Sequence, residues 1–202
     1  MTEAEKLKVS DFIYGLIVPV IVGLLIVAWK AYLPNALLSI DPSYTLNAIL
    51  IDGFLEALMV IAIPMFLGLL WNKWAGGAAG FLLGSLYAVY WAVQYVGYGV
   101  DPTDVSLLGY IVSAILIGYV AGALSKGSFN FIRMIVAGII AAIVGWAFYA
   151  LCGLISTIPG TMESLDPYTI FITLTPRLVY GIIVPVIVKV FYWYGVIPRR
   201  IS

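Results

Sequence analysis

The chain has very few of the side chains on which most enzyme chemistry depends. Among its 202 residues there is no histidine, and Cys152 is the only cysteine. This composition excludes bis-histidine haem, histidine-rich metal centres, cysteine clusters, intrachain disulfides and any Ser–His or Cys–His catalytic pair. The sequence also lacks a phosphate-binding GxxxxGK[ST] loop. We therefore expect a protein that is not an enzyme, that needs no cofactor and that has no nucleic-acid partner.

Charged residues are scarce as well, at 10% of the chain, whereas 63% of the residues are hydrophobic. A soluble domain carries about 25% charged residues, and one as apolar as this would expose an aggregating surface. Six windows of roughly 20 residues or more are long enough to cross a bilayer as helices. The sequence therefore predicts an all-α integral membrane protein that is one bundle of six transmembrane helices. The predicted spans cover residues 12–33, 45–70, 75–98, 105–125, 130–155 and 168–196.

The charges are distributed unequally between the two sides of this topology. The termini and the 2–3 and 4–5 loops share one side, and that side is basic. The opposite loops are acidic, with Lys30 the only base nearby. Because cytoplasmic loops carry an excess of Lys and Arg, the asymmetry predicts a cell-membrane protein with both termini in the cytoplasm. The basic set is Lys6, Lys8, Lys73, Lys126, Arg133, Arg199 and Arg200, and the acidic set is Asp41, Asp101, Asp104, Glu163 and Asp166.

Two short repeats have structural explanations. YGLIVPVIV at 14–22 and YGIIVPVIV at 180–188 lie on antiparallel spans, whereas an inverted three-plus-three duplication would match the first span with the fourth. We interpret them as similar lipid-compatible compositions, not as a duplication. Asp-Pro pairs at 41–42, 101–102 and 166–167 each precede an inward-running span. Asp favours the N-cap and Pro the first helical position, so these pairs predict the starts of spans 2, 4 and 6.

Small residues recur at every fourth position in several spans. Such ridges let helix backbones approach closely in a membrane, where lipid provides no hydrophobic drive for association. We interpret them mainly as packing surfaces within the bundle, with a docking surface for a partner subunit as the alternative. The ridges are Gly76, Gly80, Gly84, Ala88 and Ala92 in span 3, Ala114, Gly118 and Gly122 in span 4, and Ala137, Ala141 and Gly145 in span 5.

Charged residues within the apolar spans indicate a function, since each costs about 2.5–3.5 kcal/mol at a helix centre on insertion scales. Asp52 and Glu56 are four residues apart and share one face of span 2, roughly 10 and 16 Å below the outer surface. Arg177 in span 6 lies about 15 Å from the same surface, with Thr169 and Thr173 on its face. We predict that Glu56 and Arg177 pair, either as a buried strut or in a ligand or ion site.

The outer half of span 3 carries aromatic and polar side chains beside the glycine ridge. Tyr87, Trp91, Gln94 and Tyr98 fall in one narrow sector. Tyr98 suits an aromatic belt at the membrane interface, whereas Tyr87 and Trp91 lie deeper and with Gln94 predict one wall of a small-molecule pocket. The predicted substrate-binding residues are therefore Asp52, Glu56, Tyr87, Trp91, Gln94, Thr173 and Arg177, with no catalytic residue and no metal ligand.

Six spans, cytoplasmic termini, 202 residues and a pocket in the outer half together resemble the substrate-binding S components of energy-coupling-factor vitamin transporters. PMFLGLLWNKWAGGAAGFLLGSLY at 64–87 resembles the second-to-third helix passage of that family, and LLGYIVSAILIGYVAGALSKG at 107–127 resembles its fourth helix. The resemblance implies a substrate captured from outside beneath the 1–2 loop, and ATP hydrolysis by separate partner subunits. Span 1 departs from the pattern because it has Gly15, Pro19 and Gly23 in place of an alanine-rich coupling face.

Three functions are open from the sequence. The first is the substrate-capturing component of a small-molecule importer, which would bind a substrate and an ATPase-coupled partner. The second is a non-catalytic subunit of a larger membrane complex, with glycine ridges as docking surfaces and the ion pair as a strut. The third is an ion-coupled carrier with Asp52 or Glu56 as its proton site. All three place the chain in a lipid bilayer.

Overall fold

The described part of the chain is helical and contains no strand. A computed structural model describes residues 56–97, 99, 101, 103–158 and 164–195, and the isolated positions 17, 20, 21, 24, 28 and 32. Within these residues, four helices are long enough and apolar enough to cross a membrane. The prediction of an all-α protein of membrane type is therefore confirmed. A π-helix, Ala57–Ala62, continues into α1 (Ile63–Leu70), and the four long helices are α2 (Lys73–Gly97), α3 (Val105–Ser125), α4 (Phe131–Ile155) and α5 (Pro167–Trp193).

The long helices correspond to four of the predicted spans. Helices α2 to α5 match spans 3 to 6 to within three residues at each end. The π-helix and α1 form the second half of span 2, whose first half lies outside the described residues. Span 1 also lies outside them apart from the isolated positions, so the total of six spans stays a prediction.

The Asp-Pro pairs were predicted to begin helices, and the structure describes two of the three aspartates. One of these two predictions is confirmed. The carboxylate of Asp166 accepts from the Thr169 N–H at 2.8 Å, and Pro167 is the first residue of α5. The prediction for Asp101 is wrong, because Asp104 caps α3 by accepting from the Ser106 N–H at 2.8 Å. Asp101 instead accepts from the N–H of Thr103 at 2.8 Å, so its oxygen is used in a local turn before the helix begins. The pair at 41–42 lies outside the described residues.

The glycine ridge of α2 packs against α3 within the bundle. A Cβ added to Gly76 would overlap the backbone of Gly118, and one added to Gly80 would overlap the backbone of Ala114. At Gly84 an added Cβ would lie 2.9 Å from the Cα of Ile111. The interpretation of this ridge as an internal packing surface is confirmed, so these three glycines are not a docking surface for a partner.

The other ridges are used in the same way. Gly138 of α4 meets the backbone of Gly181 in α5, a contact that the sequence did not indicate. Gly145 is adjacent to the side chain of Ile117, and Ala137 and Ala141 are buried. The close backbone contacts set the rotation of each helix about its own axis. That rotation decides which side chains point into the bundle.

Helix α1 is preceded by a wider turn of the backbone. The N–H of Ile63 donates to the carbonyl of Leu58, which is the i→i−5 bond of a π-helix. Pro64 follows directly; it has no N–H, and its ring needs space beside the carbonyl four residues earlier. A π-turn at this point relieves that crowding and is a feature frequently found at functional sites. Glu56 directly precedes this π-helix, and its side chain makes no capping hydrogen bond there.

Candidate functional site

The predicted ion pair is present inside the bundle. Nη2 of Arg177 in α5 lies 3.3 Å from Oε1 of Glu56, ahead of the π-helix. The Arg177 side chain is 6% exposed and that of Glu56 is 24% exposed. A charge-assisted hydrogen bond between a guanidinium and a carboxylate is usually about 2.7–2.9 Å long. The contact is therefore loose for a pair that is this well buried.

The guanidinium of Arg177 has further contacts and one unused donor. Its Nη1 donates to the main-chain carbonyl of Thr173 at 2.8 Å. Its Cζ lies 4.2 Å from the ring centroid of Tyr149 in α4, the geometry of a cation–π interaction. Its Nε is buried and has no hydrogen-bond partner among the residues that the structure describes. A buried donor left unsatisfied typically costs about 1–3 kcal/mol, and more when the group is charged.

Tyr87 of α2 also contacts the ion pair. Its hydroxyl donates to Oε2 of Glu56 at 3.4 Å, and the side chain is 1% exposed. The Tyr87 ring packs edge-to-face on Trp91, with centroids 6.4 Å apart, and on Tyr110 of α3 at 4.9 Å. Both carboxylate oxygens of Glu56 thus contact a donor. Trp91 packs on the Tyr87 ring, which in turn contacts Glu56.

Two tyrosines that the sequence did not single out complete this cluster. Tyr110 of α3 and Tyr149 of α4 have ring centroids 5.5 Å apart, and Tyr149 covers the guanidinium of Arg177. Both lie in the same half of the bundle as the pair: Tyr110 is five residues from the start of α3, and Tyr149 six residues from the end of α4. Their position along α3 and α4, at a depth similar to that of Arg177 in α5, is the signal in the sequence that points to them.

The remaining predicted site residues do not contact the ion pair through their side chains, or they lie outside the described residues. The Thr173 hydroxyl donates to the Thr169 carbonyl at 2.7 Å and accepts from the Trp146 indole N–H at 2.9 Å. Thr173 therefore meets Arg177 through its main-chain carbonyl and not through its hydroxyl. Gln94 is half-buried on α2, seven residues beyond Tyr87, and makes no hydrogen bond to the pair in the described part of the chain. Asp52 lies outside the described residues.

The site lies nearer to one end of the bundle, called here the acidic end because Asp101, Asp104 and Asp166 are found there. Tyr87 and Arg177 are each ten residues from the helix terminus at that end, a depth of about 15 Å at 1.5 Å per residue. The opposite, basic end holds Lys73, Lys126 and Arg133. The matching depths explain why residues from several helices converge.

Asp104 holds the ends of α3 and α4 together above the site. Its two oxygens accept from the Ser156 hydroxyl at 2.7 Å and from the Thr157 N–H at 3.0 Å, in addition to the cap bond from Ser106. Partial burial raises the pKa of Asp104, but the hydrogen bonds from Ser156, Ser106 and Thr157 outweigh this effect and hold the pKa well below its ordinary value. The carboxylate is thus stabilised in its charged form.

The chemistry available at the site is that of recognition. In the described part of the chain, no group of three or more carboxylate or cysteine side chains could hold a metal ion. The groups that can meet a ligand are a guanidinium, a carboxylate, phenol hydroxyls and aromatic faces. No family model matches the chain, and no curated protein or solved structure is significantly similar to it. The geometry around Glu56 and Arg177 is therefore the basis for assigning a function.

Proposed function

We propose that this protein is the substrate-capturing component of a small-molecule importer in the cell membrane. It would have six spans and cytoplasmic termini, so that the acidic end of the bundle faces outward. The substrate would bind in the outer half of the bundle, and separate partner subunits would hydrolyse ATP, as in the S components of energy-coupling-factor transporters that the sequence resembles.

The observation that carries this proposal is the incompletely satisfied Arg177 guanidinium. Its Nε is a buried donor with no partner among the described residues, and its bond to Glu56 is long, at 3.3 Å. A strut is stable only when its buried charges are closely paired and fully hydrogen-bonded. A ligand-binding group, in contrast, keeps a donor available for the ligand. The arrangement favours a binding site over a strut.

The surroundings of the pair support a small organic ligand. Small-molecule sites are lined mainly by apolar and aromatic side chains, with a few polar groups that fix the orientation of the ligand. Tyr87, Tyr110 and Tyr149 provide aromatic surface, and Glu56 and Arg177 provide one charge of each sign. The function as a structural subunit has less support, because α3 covers the α2 ridge that would have docked a partner.

Native mass spectrometry of gently purified protein tests the proposal. We expect the parent protein to carry a small-molecule adduct of constant mass, and the Arg177→Met variant to lack it while remaining folded. Lys189→Met is the matched control, because it removes another cation from α5 whose Nζ contacts the Phe129 carbonyl and not the site. Stable association with other subunits without any small-molecule adduct would instead support the structural-subunit function.

A further inference from the structure

The basic end of the bundle carries positive charge that no described carboxylate neutralises. Lys73 begins α2, Lys126 follows α3, and Arg133 lies in the first turn of α4. The described acidic residues are Glu56, Asp101, Asp104 and Asp166, and all four lie in the other half of the bundle. An anionic partner at the basic end would therefore meet the positive charge of these three described side chains.

A groove opens on the surface of the bundle at this end, with a volume of about 510 Å³. It runs between the end of α3 and the first three turns of α4. Its walls are the apolar side chains of Leu124, Ile132, Val136 and Ile140, and its polar end is formed by Ser128 and Arg133. Ile132 is 74% exposed and Val136 is 48% exposed, so the groove is open to the surroundings of the bundle.

The apolar wall has the direction and length of part of an acyl chain. Ile132, Val136 and Ile140 follow one another at four-residue spacing along α4, so they form a stripe about 12 Å long. The stripe begins at the basic end and runs toward the middle of the bundle. A phospholipid in a membrane has the same orientation, with its headgroup at the surface and its chains toward the centre.

Arg133 is held at the polar end of this groove. Its Nε donates to the Leu124 carbonyl at 2.9 Å, which fixes the guanidinium beside the last turn of α3. Its Nη groups make no hydrogen bond within the described residues and are free to bind an anion. The start of α4 adds partial positive charge, because the N-terminus of a helix favours negative groups.

We infer that this groove binds one anionic phospholipid, with the headgroup phosphate on Arg133 and an acyl chain along Ile132, Val136 and Ile140. A guanidinium matches the geometry of a phosphate, and basic pockets at the cytoplasmic side of membrane bundles bind such headgroups. A zwitterionic lipid would fill the groove without net neutralisation of Arg133, and a free phosphate would leave the apolar stripe uncovered. The inference is independent of the importer function.

Native mass spectrometry in detergent tests the inferred lipid site. The protein is titrated with palmitoyl-oleoyl phosphatidylglycerol and, separately, with phosphatidylcholine that has the same acyl chains. We expect one saturable adduct that favours phosphatidylglycerol. Arg133→Gln should raise its Kd about fivefold, because a basic residue near a membrane surface contributes about 1 kcal/mol to binding of anionic lipid. The Kd of phosphatidylcholine, whose phosphate charge is balanced by the choline group, should rise by less. Lys126→Gln, which removes an exposed cation of the same end outside the groove, is the control and should have a smaller effect.

A second variant tests the acyl-chain contact without touching the charge. Val136→Trp fills the groove from an exposed position, so it should weaken the binding of both lipids while the thermal unfolding of the protein stays unchanged. Equal losses in Arg133→Gln and Lys126→Gln would show a general attraction of anionic lipid and would overturn the site. Glycerophosphoglycerol, the same headgroup without acyl chains, should not compete. Competition as strong as that of the lipid would also refute the inference.

Discussion

Removal of one or both charges of the Glu56–Arg177 pair separates a binding site from a strut. Glu56→Ala leaves the guanidinium buried without its carboxylate, a change that typically costs about 3–5 kcal/mol. We expect the lower end, about 3 kcal/mol, for two structural reasons. The Glu56 side chain is 24% exposed and its contact with Arg177 is long, at 3.3 Å. Arg177 also keeps its cation–π contact with Tyr149, which contributes up to about 2 kcal/mol when desolvated.

The double variant Glu56→Ala, Arg177→Met should recover most of the lost stability, since replacement of a buried ion pair by apolar side chains is often neutral. The free energy of unfolding of the parent, the two single variants and the double variant gives the coupling between the two charges. Titration with a denaturing detergent, followed by the far-ultraviolet circular dichroism of the helices, measures each value. Retention of the small-molecule adduct or transport is measured on the same preparations.

The two functions give opposite results for the double variant. A binding site predicts a stable protein that has lost its ligand, because the groups that orient the substrate are gone. A strut predicts a stable protein with normal activity, and that result would refute the site. Single variants as stable as the parent would refute the electrostatic argument itself, since the two charges would then not depend on each other.

Three further predictions test the packing, the acidic end and the topology. Gly80→Ala should destabilise the bundle by roughly 1–3 kcal/mol, because the added Cβ would overlap the backbone of α3. Gly77→Ala is the control, and it should be tolerated in the same unfolding assay because its Cβ would meet a side chain at ordinary contact distance. Asp104 has a lowered pKa in the folded state, so its contribution to stability should be complete above about pH 5 and decline as the pH falls below its unfolded value of about 3.9. Asp104→Asn should weaken this acid dependence of the unfolding midpoint, and an unchanged pH profile would count against the hydrogen-bonded carboxylate. Thr103→Cys should react with an impermeant thiol reagent added outside intact cells and Asn72→Cys should not; the reverse pattern would invert the topology.

The fold was predictable to the extent that the bilayer dictates it. Membrane-spanning helices need about 20 apolar residues, and their backbone must satisfy its own hydrogen bonds. Because of these two requirements, the predicted spans agree with the ends of α2 to α5 to within three residues. The Glu56–Arg177 contact was predictable for a related reason, since two opposite charges at one depth in an apolar bundle are each other's natural partners.

The start of α3 was predicted at the wrong aspartate. The Asp-Pro pair indicated Asp101, whereas Asp104, an equally suitable residue type for an N-cap, caps the helix. Asp104 also accepts hydrogen bonds from Ser156 and Thr157 at the end of α4, which Asp101 does not. Those partners are more than 50 residues away along the chain, and only the packing of α3 against α4 brings them to the carboxylate.

The sequence by itself thus determined the bounds of the four long helices that the structure describes and the position of each side chain along them, because both depend on distance along a helix. The tertiary structure alone decided the rotation of the helices. A membrane helix is apolar on all sides, so no polar stripe distinguishes its buried face from its lipid face. The contact of Gly80 with Ala114, and of Gly138 with Gly181, fixes those rotations. Tyr149 consequently covers Arg177, a contact that depends on several helices at once and that no single stretch of sequence encodes.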